Sequence, residues 1–264
     1  MLAKFKGFVL GYRSRWRSLL FIGVAIASFS TFTLLSAVFN AHRNVAQPPL
    51  VTQATIVDVV GQQVLVRDRP ARPQDRARQG DPVRTTRART QLNFNTGAIG
   101  RLGQNTVLTI GQQCFQIQQG EILVKGAASG CSNTVRAGVR GTSYWMDVSA
   151  SGQTEVGVLE GEVELTPLRK TAQEPVSLIQ GQGIIIDTQG RFGAVTQWPI
   201  ERFEKILNGP LFQGFQTEFP GLLDVQEALE QVFPGVEFSG DASYQKEPSR
   251  PLTTQKIGFP VSKM

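Results

Sequence analysis

A run of 21 uncharged and mostly apolar residues, from Leu19 to Phe39, constrains this chain more than any other feature of its sequence. A helix that crosses a bilayer needs about 20 such residues. The serine and threonine hydroxyls inside the run can bond back to their own helix, so they do not exclude a membrane span. The run is too long and too uniformly apolar for a buried helix of a globular domain. We therefore predict one transmembrane helix over residues 19–39.

A cleaved signal peptide is the main alternative to an anchor. A signal peptide has a shorter apolar segment, about 7–15 residues, followed by a cleavage site with small residues at two defined positions. Here Ala41 and Ala46 are preceded at the relevant offset by Phe39 and Asn44, which do not fit such a site. We therefore favour an uncleaved anchor.

The charged residues on either side of the run predict its orientation. Residues 1–18 contain five basic residues and no acidic residue, whereas only His42 and Arg43 lie between the run and Pro48. Positive residues are retained on the cytoplasmic side of a membrane. We therefore predict a single-pass protein of the inner membrane, with a basic cytoplasmic tail over residues 1–18 and a proline-containing linker over residues 40–52. The rest of the chain is then periplasmic or otherwise extracytoplasmic.

Residues 53–196 consist of short runs in which apolar and polar residues alternate. The first two, TIVDVV (Thr55–Val60) and QVLVRD (Gln63–Asp68), lie on either side of a Gly-Gln turn, as the strands of a hairpin do. Similar runs follow with glycines between them, and no helical period appears before Val195. We predict a mainly β domain of many short strands over residues 53–196.

Three of these runs echo one another, namely QQGEILV (118–124), LEGEVEL (159–165) and IQGQGIII (179–186). In each of them a glycine and a polar residue precede an apolar strand. Echoes of this kind are typical of a sheet that winds, with equivalent turns stacked on one another. We therefore predict a β-solenoid or β-roll in preference to an immunoglobulin-like sandwich.

The pattern changes after Gln197. The segment PIERFEKIL (199–207) predicts a short helix with proline at its start, and DVQEALEQVF (224–233) has apolar residues at helical spacing behind an aspartate that can cap. We predict a short helical region over residues 197–240. The end of the chain is polar and interrupted by prolines, which predicts a flexible tail over residues 241–264.

Five segments of the β domain resemble the FecR domain in their order and in their glycine, valine and arginine positions. They are ATIVDVVGQQVLVRD (54–68), GDPVRT (80–85), TVRAGVRGTSYWMDV (134–148), VGVLEGEVEL (156–165) and LIQGQGIIID (178–187). The residues of the motif are Arg140, Gly141, Thr142 and Gly161, for which the resemblance implies a structural role. It covers about residues 53–190.

The resemblance implies a periplasmic, β-rich module. In iron-citrate regulators of this family, the module relays the state of an outer-membrane transporter to a cytoplasmic sigma factor. Those regulators have a folded cytoplasmic segment that holds the sigma factor. The 18 residues before the apolar run are too few for a core of their own. We therefore expect a FecR-type outer domain without the usual anti-sigma segment.

Basic residues are concentrated in the N-terminal tail and in one segment of the β domain. That segment contains three aspartates and eight arginines, which are Arg67, Arg69, Arg72, Arg76, Arg78, Arg84, Arg87 and Arg89. One interpretation is a solvated loop kept open by Pro70 and Pro73. The other is a docking surface for lipid phosphates, acidic glycans or an acidic protein, since guanidinium groups pair with phosphate and carboxylate in a forked geometry. The predicted topology disfavours nucleic acid as a partner.

The chain has two cysteines, Cys114 and Cys131. An even number of cysteines in an oxidising compartment favours a disulfide, and two reduced, buried thiols are the alternative. No metal site is expected, because the one histidine, His42, lies beside the predicted membrane span and no Cys-x-x-Cys motif occurs. We predict no cofactor.

Catalysis has little support in the sequence. The β domain has no histidine, so Ser-His and Cys-His pairs are not available, and we expect a protein that is not an enzyme. Tyr144 and Trp145 follow a Gly-Thr turn with side chains on opposite faces of a strand. One of them is expected in the core, and the other is a candidate ligand contact.

These features predict a membrane-anchored, extracytoplasmic binding or scaffold module that engages an envelope partner, either a protein or a glycan. The alternative is a transmembrane signalling regulator of the FecR type. Such a regulator would act through a cytoplasmic partner such as a sigma factor.

Overall fold

The computed structural model describes residues 50–139, 141–169 and 173–238. The predicted tail, transmembrane helix, most of the linker and the C-terminal tail lie outside these described residues, as does Arg140. Within the described ranges, no helix has the length and apolar character that crossing a bilayer requires.

The described residues form seventeen strands and two short helices. The strands are β1 (Gln53–Val60), β2 (Val64–Val66), β3 (Arg69–Pro70), β4 (Arg76–Arg78), β5 (Pro82–Thr85), β6 (Arg89–Phe94), β7 (Ile99–Leu102), β8 (Val107–Thr109), β9 (Phe115–Lys125), β10 (Gly130–Cys131), β11 (Val135–Val139), β12 (Ser143–Val148), β13 (Thr154–Glu160), β14 (Glu162–Pro167), β15 (Val176–Ile179), β16 (Gln182–Ile186) and β17 (Thr196–Gln197). The helices are α1 (Ile200–Leu207) and α2 (Leu222–Val232). The prediction of a mainly β chain with a short helical C-terminal region is confirmed.

The strands pair in two ladders that share β9. Sheet A has the order β4-β1-β6-β7-β9-β12-β13-β16-β17. Sheet B has the order β3-β2-β5-β8-β9-β10-β11-β14-β15. Every pairing among these strands is antiparallel except the two-residue match of β9 with β10. Stacked coils of a solenoid would pair successive turns in parallel, so the β-solenoid prediction is not confirmed.

The three echoing segments share a different structural role. Gly120 lies where β9 leaves sheet B and enters sheet A, Gly161 lies between β13 of sheet A and β14 of sheet B, and Gly181 lies between β15 and β16. All three have a positive φ, between 81° and 88°. Glycine adopts this conformation without steric cost. The echoes therefore mark the points at which the chain crosses from one sheet to the other.

Side chains from both sheets build one buried apolar core. Alternate residues of β1 are buried, and those of β11 follow the same period. Phe94 of sheet A stacks on Phe115 at the start of β9, with 5.4 Å between ring centroids. The other face of sheet A is covered by the segment that follows β17.

This C-terminal segment, residues 198–238, is called the cap below. Its apolar side chains and those of Leu123, Trp145 and Leu159 on sheet A form a second buried cluster. The indole of Trp198 lies directly on Gly157 and Gly183, where a Cβ atom would come within 3.0 Å of the ring. Adjacent glycines on two paired strands thus make room for the first residue of the cap.

Candidate functional site

The eight arginines predicted as one loop lie on a succession of short strands and turns from β2 to β6. Six of them are exposed, namely Arg67 and a set of five, Arg69, Arg72, Arg76, Arg78 and Arg87. The five arginines of this set differ from Arg67 in their partners. Within the described part of the chain, their side chains make no ion pair or hydrogen bond. We call these five residues the arginine surface.

The other three arginines are engaged within the protein. Arg67 pairs with Asp81 at 2.9 Å, and Arg84 pairs with Asp68. Arg89 is directed to the cap, where it donates hydrogen bonds to the carbonyl oxygens of residues 210 and 213, the latter at 2.7 Å. Burial lowers the pKa of Arg89, against a smaller opposing effect of Glu121.

Two strand positions explain why part of the arginine surface points to solvent. Arg76 and Arg78 lie on either side of Ala77, which is fully buried, so both guanidinium groups are on the outer face of the edge strand β4. Two nearby acids are occupied by the backbone. Asp75 and Asp81 accept hydrogen bonds from the backbone N–H groups of residues 72 and 78, each at 2.8 Å. Since three aspartates face eight arginines in this segment, the local positive charge is only partly compensated.

The structure contains the predicted disulfide between Cys114 and Cys131. It links the residue before β9 to the second residue of β10, with 5.8 Å between the Cα atoms. It thus reinforces the short parallel pairing of β9 with β10.

The motif residues that the structure describes meet at one corner of the fold. Gly141 joins β11 of sheet B to β12 of sheet A, and Gly161 joins β13 back to sheet B. The hydroxyl of Thr142 donates a hydrogen bond to the carbonyl of Glu162 at 2.8 Å. A Cβ on Gly161 would lie 3.4 Å from the methyl group of Thr142. These contacts fit the structural role that the resemblance implies.

Tyr144 and Trp145 point to opposite faces of sheet A. Tyr144 is fully buried in the core, and its hydroxyl donates to the carbonyl of Ala128 at 3.0 Å. Burial raises the pKa of Tyr144. Trp145 lies under the cap, where its indole N–H donates to Glu121 at 3.1 Å. Trp145 also borders a cavity.

That cavity, about 540 Å³ in volume, lies between sheet A and α1. Its floor carries Asp147, which is paired across the strands with Glu121 on one side and Glu155 on the other. Burial first, and then the two neighbouring carboxylates, raise the pKa of Asp147 to about 6. Arg202 of α1 opposes this shift and forms an ion pair with Glu155.

A second contact between sheet A and the cap is built around Arg101 of β7, which the sequence did not single out. The side chain is 2% exposed. Its Nε donates to the side-chain oxygen of Gln91 at 2.9 Å, and its two terminal nitrogens donate to the carbonyls of Leu211 and Thr217 at 3.0 and 2.5 Å. In the sequence this arginine cannot be told from an exposed one, because its two partners in the cap lie more than 100 residues further on.

Asp58 of β1 completes this contact. Its carboxylate accepts hydrogen bonds from the backbone N–H groups of Gln216 and Thr217, at 2.6 and 2.9 Å. The residue is 6% exposed. Asp58 and Arg101 therefore hold the same turn of the cap, one as acceptor and the other as donor.

The described residues thus form a mainly β module with two residues of the arginine surface on the edge strand β4 of sheet A and a helical cap on one face of that sheet. Residues 81–164 match the model of the FecR protein family. This match runs from the residue before β5 into β14 and includes the corner formed by Gly141, Thr142 and Gly161. The segment is therefore a FecR domain, and the resemblance found in the sequence is confirmed there.

Two crystal structures described as "a putative anti-sigma factor from Parabacteroides distasonis" are similar to this chain. Both have 16% sequence identity and a TM-score of 0.41, and they cover 60% of this chain and 81% and 80% of their own. Similarity at this level assigns no function to the present chain. No curated protein matches the sequence.

Proposed function

We propose that this chain is a membrane-anchored FecR-type module that binds an anionic partner in the cell envelope, an acidic protein or glycan, through its arginine surface. The observation that carries the proposal is the set of five exposed guanidinium groups without an ion pair among the described residues. Two of the nearby acids, Asp75 and Asp81, are held by backbone N–H groups. The FecR match supports a regulatory or binding role for the domain that presents this surface.

The arrangement on β4 suits a partner with repeated negative charges. Arg76 and Arg78 are two residues apart on one face of a strand, which places their Cα atoms about 7 Å apart. Each guanidinium can bind a carboxylate or phosphate through two parallel hydrogen bonds. A structural role competes with this function, because charged side chains on an edge strand also prevent pairing with another chain.

A pair of matched variants tests the proposal in the full chain in its own membrane. Arg76→Ser with Arg78→Ser removes two charges from the arginine surface. Arg169→Ser with Lys205→Ser removes two exposed charges elsewhere. Crosslinking and pull-down from intact membranes should show association weakened about 10-fold in the first variant and unchanged in the second. Equal association in both variants would overturn the proposal. If the first variant instead aggregates while its association is unchanged, the arginines protect the edge of the sheet.

The match to the FecR family also favours a second candidate, a transmembrane regulator that acts through a cytoplasmic partner. Deleting residues 2–12 while preserving membrane insertion separates the two functions. If the chain is a regulator, the deletion should abolish its effect on transcription, measured as transcript levels compared with those of cells that carry the full chain. If the chain is only an envelope-binding module, these levels should not change. Unchanged transcript levels would exclude a role for the tail and leave the envelope-binding function in place.

A further inference from the structure

Arg101 is a buried cation without a carboxylate at ion-pair distance among the described residues. Its three hydrogen bonds go to neutral oxygens, those of Gln91, Leu211 and Thr217. A guanidinium has five N–H groups, so two of them have no partner in the described structure. Asp58 acts electrostatically on Arg101 without forming an ion pair with it, and its carboxylate accepts hydrogen bonds from two backbone N–H groups of the cap. Buried charges are normally paired, whereas the hydrogen bonds of Arg101 in the described structure go to neutral groups alone.

The electrostatics agree with this count. Burial lowers the pKa of Arg101 to about 10, and the opposing effect of Asp58 is the smaller of the two. Burial therefore disfavours the charged guanidinium even though three phenylalanine rings contact it. A bound anion would stabilise it.

A cavity of about 530 Å³ opens beside Arg101, within the cap. Three aromatic rings line it, and the guanidinium carbon lies 4.2 Å from the centroid of Phe215, 5.2 Å from that of Phe219 and 5.7 Å from that of Phe212. Leu222 and Leu223 add aliphatic surface, and Leu223 is 78% exposed at the mouth. The cavity has the size of a small-molecule site, with aromatic and aliphatic surface on its walls, Glu218 and Asp224 also in its lining, and a cation at one end.

We propose that this cavity binds a carboxylate that carries an apolar group, with the carboxylate at Arg101 and the apolar group against the three phenylalanine rings. A free organic acid and the C-terminal residue of a peptide share this chemistry. The site is separate from the arginine surface, so it does not depend on the function proposed above.

The rim of the cavity supplies a specific test of location. Asp224 and Glu218 both line it, but Asp224 is paired with Lys125 at 3.2 Å. Glu218 is exposed and makes no ion pair in the described structure. Its charge opposes an entering anion, so its removal should strengthen binding. Glu227 is an exposed acid of α2 that does not line the cavity, and it provides a matched control.

Isothermal titration of the full chain in detergent micelles tests the site with four probes. These are 3-phenylpropionate, its amide, the peptide acetyl-Ala-Ala-Phe with a free C-terminus, and the same peptide as an amide. We expect at least one acid to bind at least 10-fold more tightly than its amide. Preference for the peptide acid would identify a polypeptide terminus as the ligand, and preference for 3-phenylpropionate would identify a free acid.

Glu218→Gln should tighten the binding of the acid about twofold to threefold, while Glu227→Gln should leave it unchanged. Equal affinity for acid and amide, or no saturable binding of any probe, would overturn the proposal. Acid-selective binding that responds equally to the two variants would also overturn it, because the anion would then lie elsewhere. These variants leave Arg101 and its hydrogen bonds to the cap intact, so the result does not depend on the cap remaining folded without it.

Discussion

Asp147 lies opposite Glu121 on one neighbouring strand and Glu155 on the other. Its pKa is raised to about 6, so the folded protein binds a proton that the unfolded chain releases at lower pH. The resulting stabilisation is fully present below about pH 4 and is lost as pH rises through 6. Asp147→Asn should therefore increase the free energy of unfolding at pH 7.5 by about 1 kcal/mol, after allowance for solvent screening of this half-exposed group. The gain should vanish near pH 4.

Urea unfolding at the two pH values checks this expectation. Glu201→Gln removes an exposed acid from the first turn of α1 and serves as the control. It should show no comparable change with pH. A gain for Asp147→Asn of the same size at pH 4 and pH 7.5 would mean that the charge of Asp147 is not the cause.

Position 157 needs a glycine because the indole ring of Trp198 leaves no room for a Cβ atom, and not because of its backbone conformation. A Cβ at this position would overlap the indole ring of Trp198, whereas a Cβ on Gly138 of β11 would have its nearest contact at an ordinary 3.6 Å. Gly157→Ala should lower the free energy of unfolding by about 2 kcal/mol because the cap must shift away from sheet A. Gly138→Ala should have less than half of this effect. Denaturant unfolding followed by tryptophan fluorescence measures both free energies. Equal losses in the two variants would show that Trp198 can move away from position 157 without loss of stability.

At the scale of the elements, the sequence predicts where the strands lie but not which strands pair. The helix predicted over residues 199–207 is present as Ile200–Leu207, since its period and its initial proline are local signals. The residues on either side of Gly120 instead belong to one strand, β9, which passes from sheet B to sheet A at this glycine. Alternation shows that a residue faces a core, but not which strand lies beside it. The three echoing segments can be recognised in the sequence because each has a glycine before an apolar strand. Only the strand pairings show that these glycines lie where the chain crosses between the sheets.

The disulfide holds one of the two shortest strands of sheet B. The strand β10 has only two residues, and its pairing with β9 is the parallel one. The bond closes a loop with a sequence separation of 17 residues, for which the loss of chain entropy in the unfolded state gives about 3 kcal/mol. Replacing both Cys114 and Cys131 by serine should therefore lower the free energy of unfolding by about 2–3 kcal/mol.

Denaturant unfolding with and without a reducing agent tests this prediction. Reduction of the original protein should give the same loss as the double serine variant. The double variant itself should not respond to the reducing agent. An equal stability of oxidised and reduced protein would show that β10 is held by its neighbours alone.

At the scale of the whole molecule, the cap is joined to sheet A by two kinds of contact that the sequence could not connect. The first is apolar and centres on Trp145 and Trp198, whose rings meet edge to face at 5.7 Å. The second is polar and includes Arg89, Arg101 and Asp58, which bind the backbone of the cap. Each of these three contacts with the cap backbone joins residues more than 100 positions apart. The FecR match ends at residue 164, before the cap begins, so the family pattern does not predict these contacts either.

The apolar contact between the cap and sheet A predicts the result of removing the cap. A chain that ends at Gln197 keeps both sheets and the disulfide, but it exposes Leu123, Trp145 and Leu159, which are at most 6% exposed under the cap. A contiguous apolar patch of this kind promotes association. We expect this chain to remain rich in β structure, to bind a hydrophobic dye such as ANS several-fold more strongly, and to form dimers or larger species by light scattering. A chain that ends at Phe238 retains the cap and should behave like the full sequence in both measurements. If the shorter chain stays monomeric without increased dye binding, the outer face of sheet A has another cover, and the cap is not what keeps it from solvent.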